Sequence, residues 1–175
     1  MPPPPKRASL PGQVEFEATA GAAEPVQEAI ADAYRYLNRR ERTHAEMRAH
    51  LEGTGFDHGD VERAIAALIE DGQLDDARFA RLLVQDKREL EGWGSDRIRQ
   101  ALLARGVEAD QAEEALAAQA CGDEMERALE LLRRRFPAPA GDRRERDRAL
   151  GVLVRKGYDV ELALDAIAAH ATQTP

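Results

Sequence analysis

Residues 98–116 read IRQALLARGVEADQAEEAL, a stretch that has two counterparts in this chain of 175 residues. The counterparts are MRAHLEGTGFDHGDVERAI at residues 47–65 and ALGVLVRKGYDVELALDAI at residues 149–167, so consecutive copies are 51 residues apart. The aligned positions include the glycines Gly55, Gly106 and Gly157. A repeat of this length is typical of a stacked helical array, in which each repeat packs on its neighbours.

Each copy predicts one helix, a glycine at the end of that helix, and a second helix. Glycine suits the left-handed conformation that ends many helices, and the apolar residue after it can pack against the next helix. Asp57 and Asp159 are the predicted N-caps of the second helix. Thr43, Asp110 and Asp142 each precede a glutamate by three residues, which is the spacing of a capping box.

A further amphipathic run precedes each copy, so the sequence predicts three helices per repeat and nine in all. These runs occupy residues 26–40, 75–90 and 123–136. The composition favours an all-α class, because alanine is abundant and the β-branched residues typical of strands are few. We therefore predict three tandem three-helix repeats that form an elongated, curved helical array.

Composition also sets the predicted boundaries. Residues 1–25 hold six of the nine prolines and few large apolar side chains, which predicts a disordered tail. The repeats are assigned to residues 26–71, 72–121 and 122–170, with a C-terminal tail at 171–175.

The single cysteine, Cys121, excludes an internal disulfide and a cysteine-based zinc site. The start MPPPPKR lacks the apolar core of a signal peptide, and no stretch is apolar enough to span a bilayer, so we expect a cytoplasmic protein.

The centre of the chain resembles the signature of the RecX family. Residues 74–107, LDDARFARLLVQDKRELEGWGSDRIRQALLARGV, contain the aspartate pair, the Phe-Ala pair, the Gly-Trp-Gly connector and the glycine-terminated helix of that signature. Residues 33–56 are similar to the family's first repeat, in which a capping hydroxyl, a glutamate and an apolar residue stand at Thr43, Glu46 and Met47. The resemblance covers residues 26–170 and is weaker in the third repeat.

This resemblance implies a negative regulator of the RecA recombinase in DNA repair and homologous recombination. Members of the family dock in the helical groove of the RecA filament on single-stranded DNA, where they inhibit ATP hydrolysis and strand exchange. The RecA filament is thus the expected partner, and direct contact with DNA is a further expectation. We expect no cofactor, no membrane association and a monomeric state.

The residues provide little basis for catalysis. No serine or cysteine has the sequence context of a nucleophile with its base. His44 and His50 lie six positions apart on one predicted helix, so they face different directions and cannot chelate a metal together. The connector at 92–95 lacks the lysine and the preceding strand of a phosphate loop. Asp75 and Asp76 diverge by about 100° on a helix, so an N-cap explains Asp75 better than an acid–base or magnesium pair. We predict a protein that is not an enzyme.

The middle repeat carries candidate contacts with the filament. Its arginines alternate with acidic residues, a mixture that favours a protein partner over phosphate. Trp93 lies between two glycines and either covers the end of the helical bundle or anchors a partner. The candidate contacts are Arg78, Arg81, Trp93, Arg97, Arg99 and Arg105.

A basic cluster lies in the third repeat. Residues 133–156 contain nine basic and three acidic residues, a local net charge of +6. Such a cluster either binds DNA phosphates or an acidic face of the recombinase, or forms a solvated face with ion pairs such as Asp142 with Arg146. Its members are Arg133, Arg134, Arg135, Arg143, Arg144, Arg146, Arg148, Arg155 and Lys156.

A helix-turn-helix-like DNA-binding protein is the alternative function, because a three-helix repeat with a glycine turn also fits that motif. Affinity for a duplex requires an excess of cations on the docking face, whereas the first two repeats carry net charges of −4 and −3. Tight, salt-dependent binding of naked duplex would favour this alternative. An effect seen only with recombinase and nucleotide present would favour the regulator.

Overall fold

The computed structural model of the protein describes residues 13–118, 124–138 and 141–173. Across these ranges the chain forms nine α-helices and no β-strand, which confirms the all-α prediction. The helices are α1 (Gln13–Leu37), α2 (His44–Gly53), α3 (His58–Glu70), α4 (Asp76–Glu89), α5 (Ser95–Leu103), α6 (Ala109–Ala118), α7 (Glu124–Arg135), α8 (Arg143–Lys156) and α9 (Val160–Gln173). None of these helices is both long and apolar enough to cross a bilayer.

The helices divide into two compact units. Among the described residues, the smaller unit comprises 13–41 and 47–74, and the larger unit comprises 42–46 together with everything from Asp75 onward. In the smaller unit α1 packs against α3, and α2 contributes Met47 and Leu51, both fully buried. Val61 and Leu68 lie on the inward face of α3 at helical spacing. Burial of each large apolar side chain stabilises such a core by about 1.5–3 kcal/mol.

The larger unit contains two apolar cores, each drawn from three consecutive helices. Phe79, Ile98 and Leu102 belong to the core of α4–α6, and half-buried Trp93 packs against it. Leu132 and Leu153 are almost completely buried in the core of α7–α9. Three successive helices thus bury one core in each of these two cases.

The N-terminal helix is longer than predicted. α1 begins at Gln13 and runs through Pro25, so the prediction of disorder was wrong for residues 13–25. This segment is rich in alanine and glutamate, whose high helix propensity offsets part of the cost of Pro25, which removes a backbone hydrogen bond and crowds the preceding turn. The last helix likewise extends to Gln173, into the predicted C-terminal tail. Residues 1–12 and Cys121 lie outside the described residues.

Most of the predicted helix caps form. Side-chain caps are present at Asp75, Asp142 and Asp159. Thr43 and Glu46 make a complete capping box, in which the Glu46 amide donates to Thr43 Oγ1 at 3.1 Å and the Thr43 amide donates to Glu46 Oε2 at 3.3 Å. Asp57 precedes α3 in extended conformation but makes no side-chain cap bond. The capping box predicted at Asp110 was wrong, because α6 begins at Ala109 and includes Asp110.

Candidate anion-binding groove

The C-terminal end of α8 packs directly on the N-terminal end of α5. Gly157 ends α8 in the left-handed conformation (φ 88°), so close to α5 that a Cβ at this position would overlap the Cβ of Arg97. The amides of Gly94 and Asp96 donate to the carbonyl oxygens of Lys156 (2.8 Å) and Gly157 (3.1 Å). The last carbonyls and first amides of helices have no partner within their own helix. This joint therefore provides partners for two carbonyls at the end of α8 and for two amides at the start of α5.

A second joint of the same kind occurs 51 residues earlier within the larger unit. Gly106 follows α5 with a φ of 80°, and a Cβ there would overlap the Cβ of Ala45. Beside it the Thr43 hydroxyl donates to the carbonyl oxygen of Arg105 at 2.6 Å. The aligned glycines Gly106 and Gly157 thus allow close helix-to-helix packing as well as helix termination. The sequence register signalled the positions, but not this second role.

A groove of about 480 Å³ lies in the larger unit, where α5, α7 and α8 meet. Five cationic and two apolar side chains line it, and none of these seven described lining residues is acidic. They are Arg97 of α5, Leu131, Arg134 and Arg135 of α7, and Val152, Arg155 and Lys156 of α8. The groove therefore concentrates positive charge on a protein whose formal net charge is −8.

Two of the cations are held in place by their neighbours. The guanidinium carbon of Arg97 lies 4.0 Å from the ring centroid of Trp93, and Arg97 Nη1 donates to the carbonyl oxygen of Arg155 at 2.9 Å. Lys156 Nζ donates to the carbonyl oxygen of Glu91 at 2.7 Å. Trp93 itself packs on the core of α4–α6. Cation–π contact with a half-buried ring restrains a guanidinium without neutralising its charge.

The other three cations, like Arg97, are exposed at the surface. Arg134, Arg135 and Arg155 are exposed, and no carboxylate of the described residues lies within 4.0 Å of their guanidinium groups. An arginine fork without a carboxylate partner retains its full donor capacity for an anion.

Several acidic side chains lie near the groove without lining it: Asp96 and Asp159 share an adjoining cavity with Arg97 and Arg155, Glu130 shares another with Arg134, and Glu91 lies close to Arg97 and Lys156. Glu91 accepts a hydrogen bond from Lys87, which lowers the pKa of its carboxyl, and the nearby charges of Lys156 and Arg97 lower that pKa further. The Glu91 carboxylate is therefore already bonded to Lys87 rather than to a cation that lines the groove.

The remaining candidates of the middle repeat lie elsewhere. Those that do not line the groove are Arg78, Arg81, Arg99 and Arg105. Arg99 donates hydrogen bonds to Glu113 and Asp96, which raise the pKa of its guanidinium, and the Arg105 guanidinium lies 5.6 Å from the Phe79 ring centroid. Arg99 and Arg105 thus contact side chains within α4–α6. Arg81 is exposed and Arg78 is half-buried.

The basic cluster of the third repeat is also divided by the fold. Its members outside the groove are Arg133, Arg143, Arg144, Arg146 and Arg148, all exposed. Arg133 pairs with Glu126 at 3.4 Å, and Arg143 lies 4.0 Å from Asp147. The ion pair expected between Asp142 and Arg146 does not form, because Asp142 instead accepts the Glu145 amide as the N-cap of α8. Throughout the described ranges, no cluster of three histidine, cysteine or acidic side chains is placed to hold a metal ion.

Family models match two parts of the chain. Residues 29–68 match the first three-helix domain of RecX, and residues 75–116 match its second three-helix domain. The first match corresponds to the core of α1–α3 and the second to the core of α4–α6. The helices α7–α9, which contribute most of the groove, lie beyond both matches.

Individual relatives extend the similarity to most of the chain. The regulatory protein RecX of Halorhodospira halophila is 40% identical over 153 residues, which are 86% of this chain and 91% of the relative. That of Chromohalobacter salexigens is 37% identical over 140 residues, 80% of this chain and 90% of the relative. The crystal structure of RecX from Lactobacillus salivarius superposes with a TM-score of 0.77 at 21% identity, covering 87% of this chain and 99% of that one, a likeness of fold. The chain thus belongs to the RecX family of regulatory proteins.

Proposed function

We propose that this protein is a negative regulator of the RecA recombinase, acting on the RecA filament assembled on single-stranded DNA. The observation that carries the proposal is the identity of 37–40% with proteins named regulatory protein RecX, over about four-fifths of the chain or more. Its expected effect is inhibition of ATP hydrolysis and of strand exchange. It acts by binding rather than by catalysis, in the cytoplasm where the filament forms.

The charge of the groove also supports this proposal. A filament on DNA presents phosphates and acidic protein faces, and a concentrated positive groove is attracted to both. Arg134, Arg135 and Arg155 have no acidic partner of their own, so binding such a partner breaks no existing ion pair. Trp93, half-buried against the core of α4–α6, supports Arg97 in this arrangement.

The direct test is the DNA-dependent ATP hydrolysis of the cognate RecA during titration with this protein. We expect inhibition at concentrations well below that of RecA, because one bound regulator affects many subunits of a filament. A binding measurement with naked DNA at the same salt concentration serves as the control. Unchanged hydrolysis at a regulator concentration equal to that of RecA would contradict the proposal.

The exposed arginines at the start of α8 are tested separately. Reversal of Arg143, Arg144, Arg146 and Arg148 to glutamate should weaken binding to the filament if this part of the basic cluster approaches DNA or an acidic face. Binding is measured by co-sedimentation with the RecA filament at several salt concentrations. Unchanged affinity and unchanged salt dependence would remove these four residues from the interface.

The helix-turn-helix alternative makes a different prediction. A duplex reader binds naked double-stranded DNA tightly, with a steep dependence on salt. Tight duplex binding together with unchanged RecA hydrolysis would replace the regulator by this alternative. The same pair of measurements therefore distinguishes the two functions.

A further inference from the structure

We propose that the groove lined by Arg97, Arg134, Arg135, Arg155 and Lys156 is a direct binding site for the phosphodiester backbone of single-stranded DNA. The inference deepens the proposed function, and the choice of DNA as the polyanion rests on that function. The site itself is argued from the charges and contacts of the larger unit. It gives the regulator contact with the strand on which the filament is built.

The charge of the groove matches a chain of phosphates. Five cations from three helices share one concave surface, and no acidic side chain lines it. Four of these cations are guanidinium groups, whose planar forks match the oxygens of a phosphate. A ligand with one negative charge would leave most of these donors without a partner, whereas a polyanion can engage several at once.

The restrained cations make part of the site preformed. Arg97 is held between the Trp93 ring and the carbonyl oxygen of Arg155, and Lys156 is held by the carbonyl oxygen of Glu91. Side chains that are already ordered lose little conformational entropy on binding. The exposed Arg134 and Arg135 can then close on the ligand from the α7 side.

The shape of the groove favours one strand over two. The groove is a concavity of about 480 Å³ that also contains the apolar side chains Leu131 and Val152. A flexible single strand can bend to follow such a concavity, whereas the phosphates of a duplex lie on a stiff cylinder. Arg97 lies over the ring of Trp93, so we expect phosphate contacts rather than base stacking on that ring. The site should therefore be tolerant of sequence.

Trp93 provides a built-in probe of this site. It is the only tryptophan of the chain, and its ring contacts Arg97, which lines the groove. A strand that engages Arg97 changes the environment of the indole. We therefore expect a saturable change in tryptophan emission when oligo-dT is added to the full chain in the absence of RecA, and a smaller effect from a duplex of equal length.

The test compares two triple variants that remove the same charge from the same unit. The groove variant is Arg134→Ala, Arg135→Ala and Arg155→Ala, and the control variant is Arg144→Ala, Arg146→Ala and Arg148→Ala. All six residues are exposed, so both variants should keep the fold, which far-UV circular dichroism verifies. Binding of fluorescein-labelled oligo-dT is measured by anisotropy as a function of salt.

We expect the groove variant to bind roughly tenfold more weakly or worse, and its salt slope to fall by about 2, since each phosphate contact in a single strand contributes roughly 0.7. The control variant should lose much less affinity. Equal losses in both variants would mean diffuse attraction and would overturn the site. Unaltered Trp93 emission at saturating oligo-dT would overturn it as well.

Failure of the DNA site can be distinguished from failure of the proposed regulatory function. Inhibition of RecA hydrolysis by a protein that does not bind oligo-dT would leave the regulator intact and refute the DNA site. Binding of oligo-dT in the groove without any effect on RecA would support the DNA site and refute the proposed regulation of RecA. Binding of poly-glutamate as tightly as oligo-dT at equal charge would assign the groove to an acidic protein and overturn the DNA site.

Discussion

Gly157 meets two requirements that are independent of each other. Its φ of 88° lies in the left-handed region, which side chains with a Cβ rarely adopt. It also stands against the backbone of α5, where a Cβ would come within 2.5 Å of the Arg97 nitrogen. The first requirement follows from a helix end, and the second from the joint between α8 and α5.

Gly157→Ala is expected to lower the free energy of unfolding of the larger unit by about 3 kcal/mol, from left-handed strain and overpacking together. Gly92→Ala is the matched control, because Gly92 has a φ of 61° but open space around its Cβ position. Gly92→Ala should lower the free energy of unfolding by about 1 kcal/mol, because it introduces left-handed strain alone. Urea unfolding followed by Trp93 fluorescence measures both. Equal costs would show that the close packing at Gly157 contributes nothing.

The contacts of Asp32 predict that the stability of the smaller unit depends on pH. Its carboxylate bonds to Arg35 at 2.7 Å and to His50 Nε2 at 2.9 Å, and the hydrogen bond from Arg35 contributes most to lowering its pKa below the ordinary 3.8. A carboxyl whose pKa is lowered by folding stabilises the folded state above its unfolded pKa. That contribution disappears as the pH falls below 3.8 and through the lower folded value.

Asp32→Asn should therefore reduce the loss of stability below pH 3.8 relative to the unmodified protein. Thermal unfolding by circular dichroism across this range measures the difference. The matched control is Glu70→Gln, an exposed carboxyl in the same unit. This explanation is wrong if, below pH 3.8, the unfolding temperature of Asp32→Asn falls with decreasing pH as steeply as that of the unmodified protein.

The first turn of α2 shows how one helix end serves two purposes. Thr43 is fully buried, accepts the Glu46 amide as a cap, and donates its hydroxyl hydrogen to the Arg105 carbonyl beyond α5. The capping box was evident from a spacing of three residues. The bond to Arg105 joins residues 62 positions apart, which local sequence rules do not reach.

Thr43→Ala should lower the free energy of unfolding by about 2 kcal/mol, since it removes a cap and leaves the partly buried Arg105 carbonyl without its donor. Thr43→Ser keeps the hydroxyl and should cost less than half as much. Differential scanning calorimetry of the two variants provides the comparison. If Ser and Ala were equally destabilising, the lost methyl group rather than the hydroxyl would explain the effect.

The distribution of charge over the molecule links fold and function. The chain is acidic overall, yet the region from 133 to 156 carries a net charge of +6, and folding places four of its cations beside Arg97 of the middle repeat. Long-range attraction of a polyanion therefore acts on one part of an otherwise acidic protein. Such focusing increases association rates and makes them sensitive to salt.

In the RecA hydrolysis assay, the groove variant defined above should need roughly tenfold more protein for half-maximal inhibition, a difference that shrinks as salt screens the groove. The control variant at Arg144, Arg146 and Arg148 should lose less inhibition than the groove variant, because these three residues lie outside the groove. Half-maximal inhibition by the groove variant at an unchanged concentration would separate the groove from regulation.

The order of the amino acids was sufficient to predict the all-α class and the aligned glycines. Periodicity and helix-end chemistry act over a few residues, so they can be read without the fold. The same local rules were wrong at Asp110 and at the start of α1. Both errors concern where a helix begins, which depends on competing caps and on packing as well as on propensity.

The site required the folded chain. From the sequence, Arg97 and Arg134 were predicted to belong to two separate candidate surfaces. In the structure both line one groove. Arg99, by contrast, donates hydrogen bonds to Asp96 and Glu113. Which arginines remain available for a ligand depends on which carboxylates come within 4 Å, a property of distances between elements rather than of spacing along the chain. Helix formation and termination are local, whereas the pairing of charges and the docking of α8 on α5 arise from long-range packing.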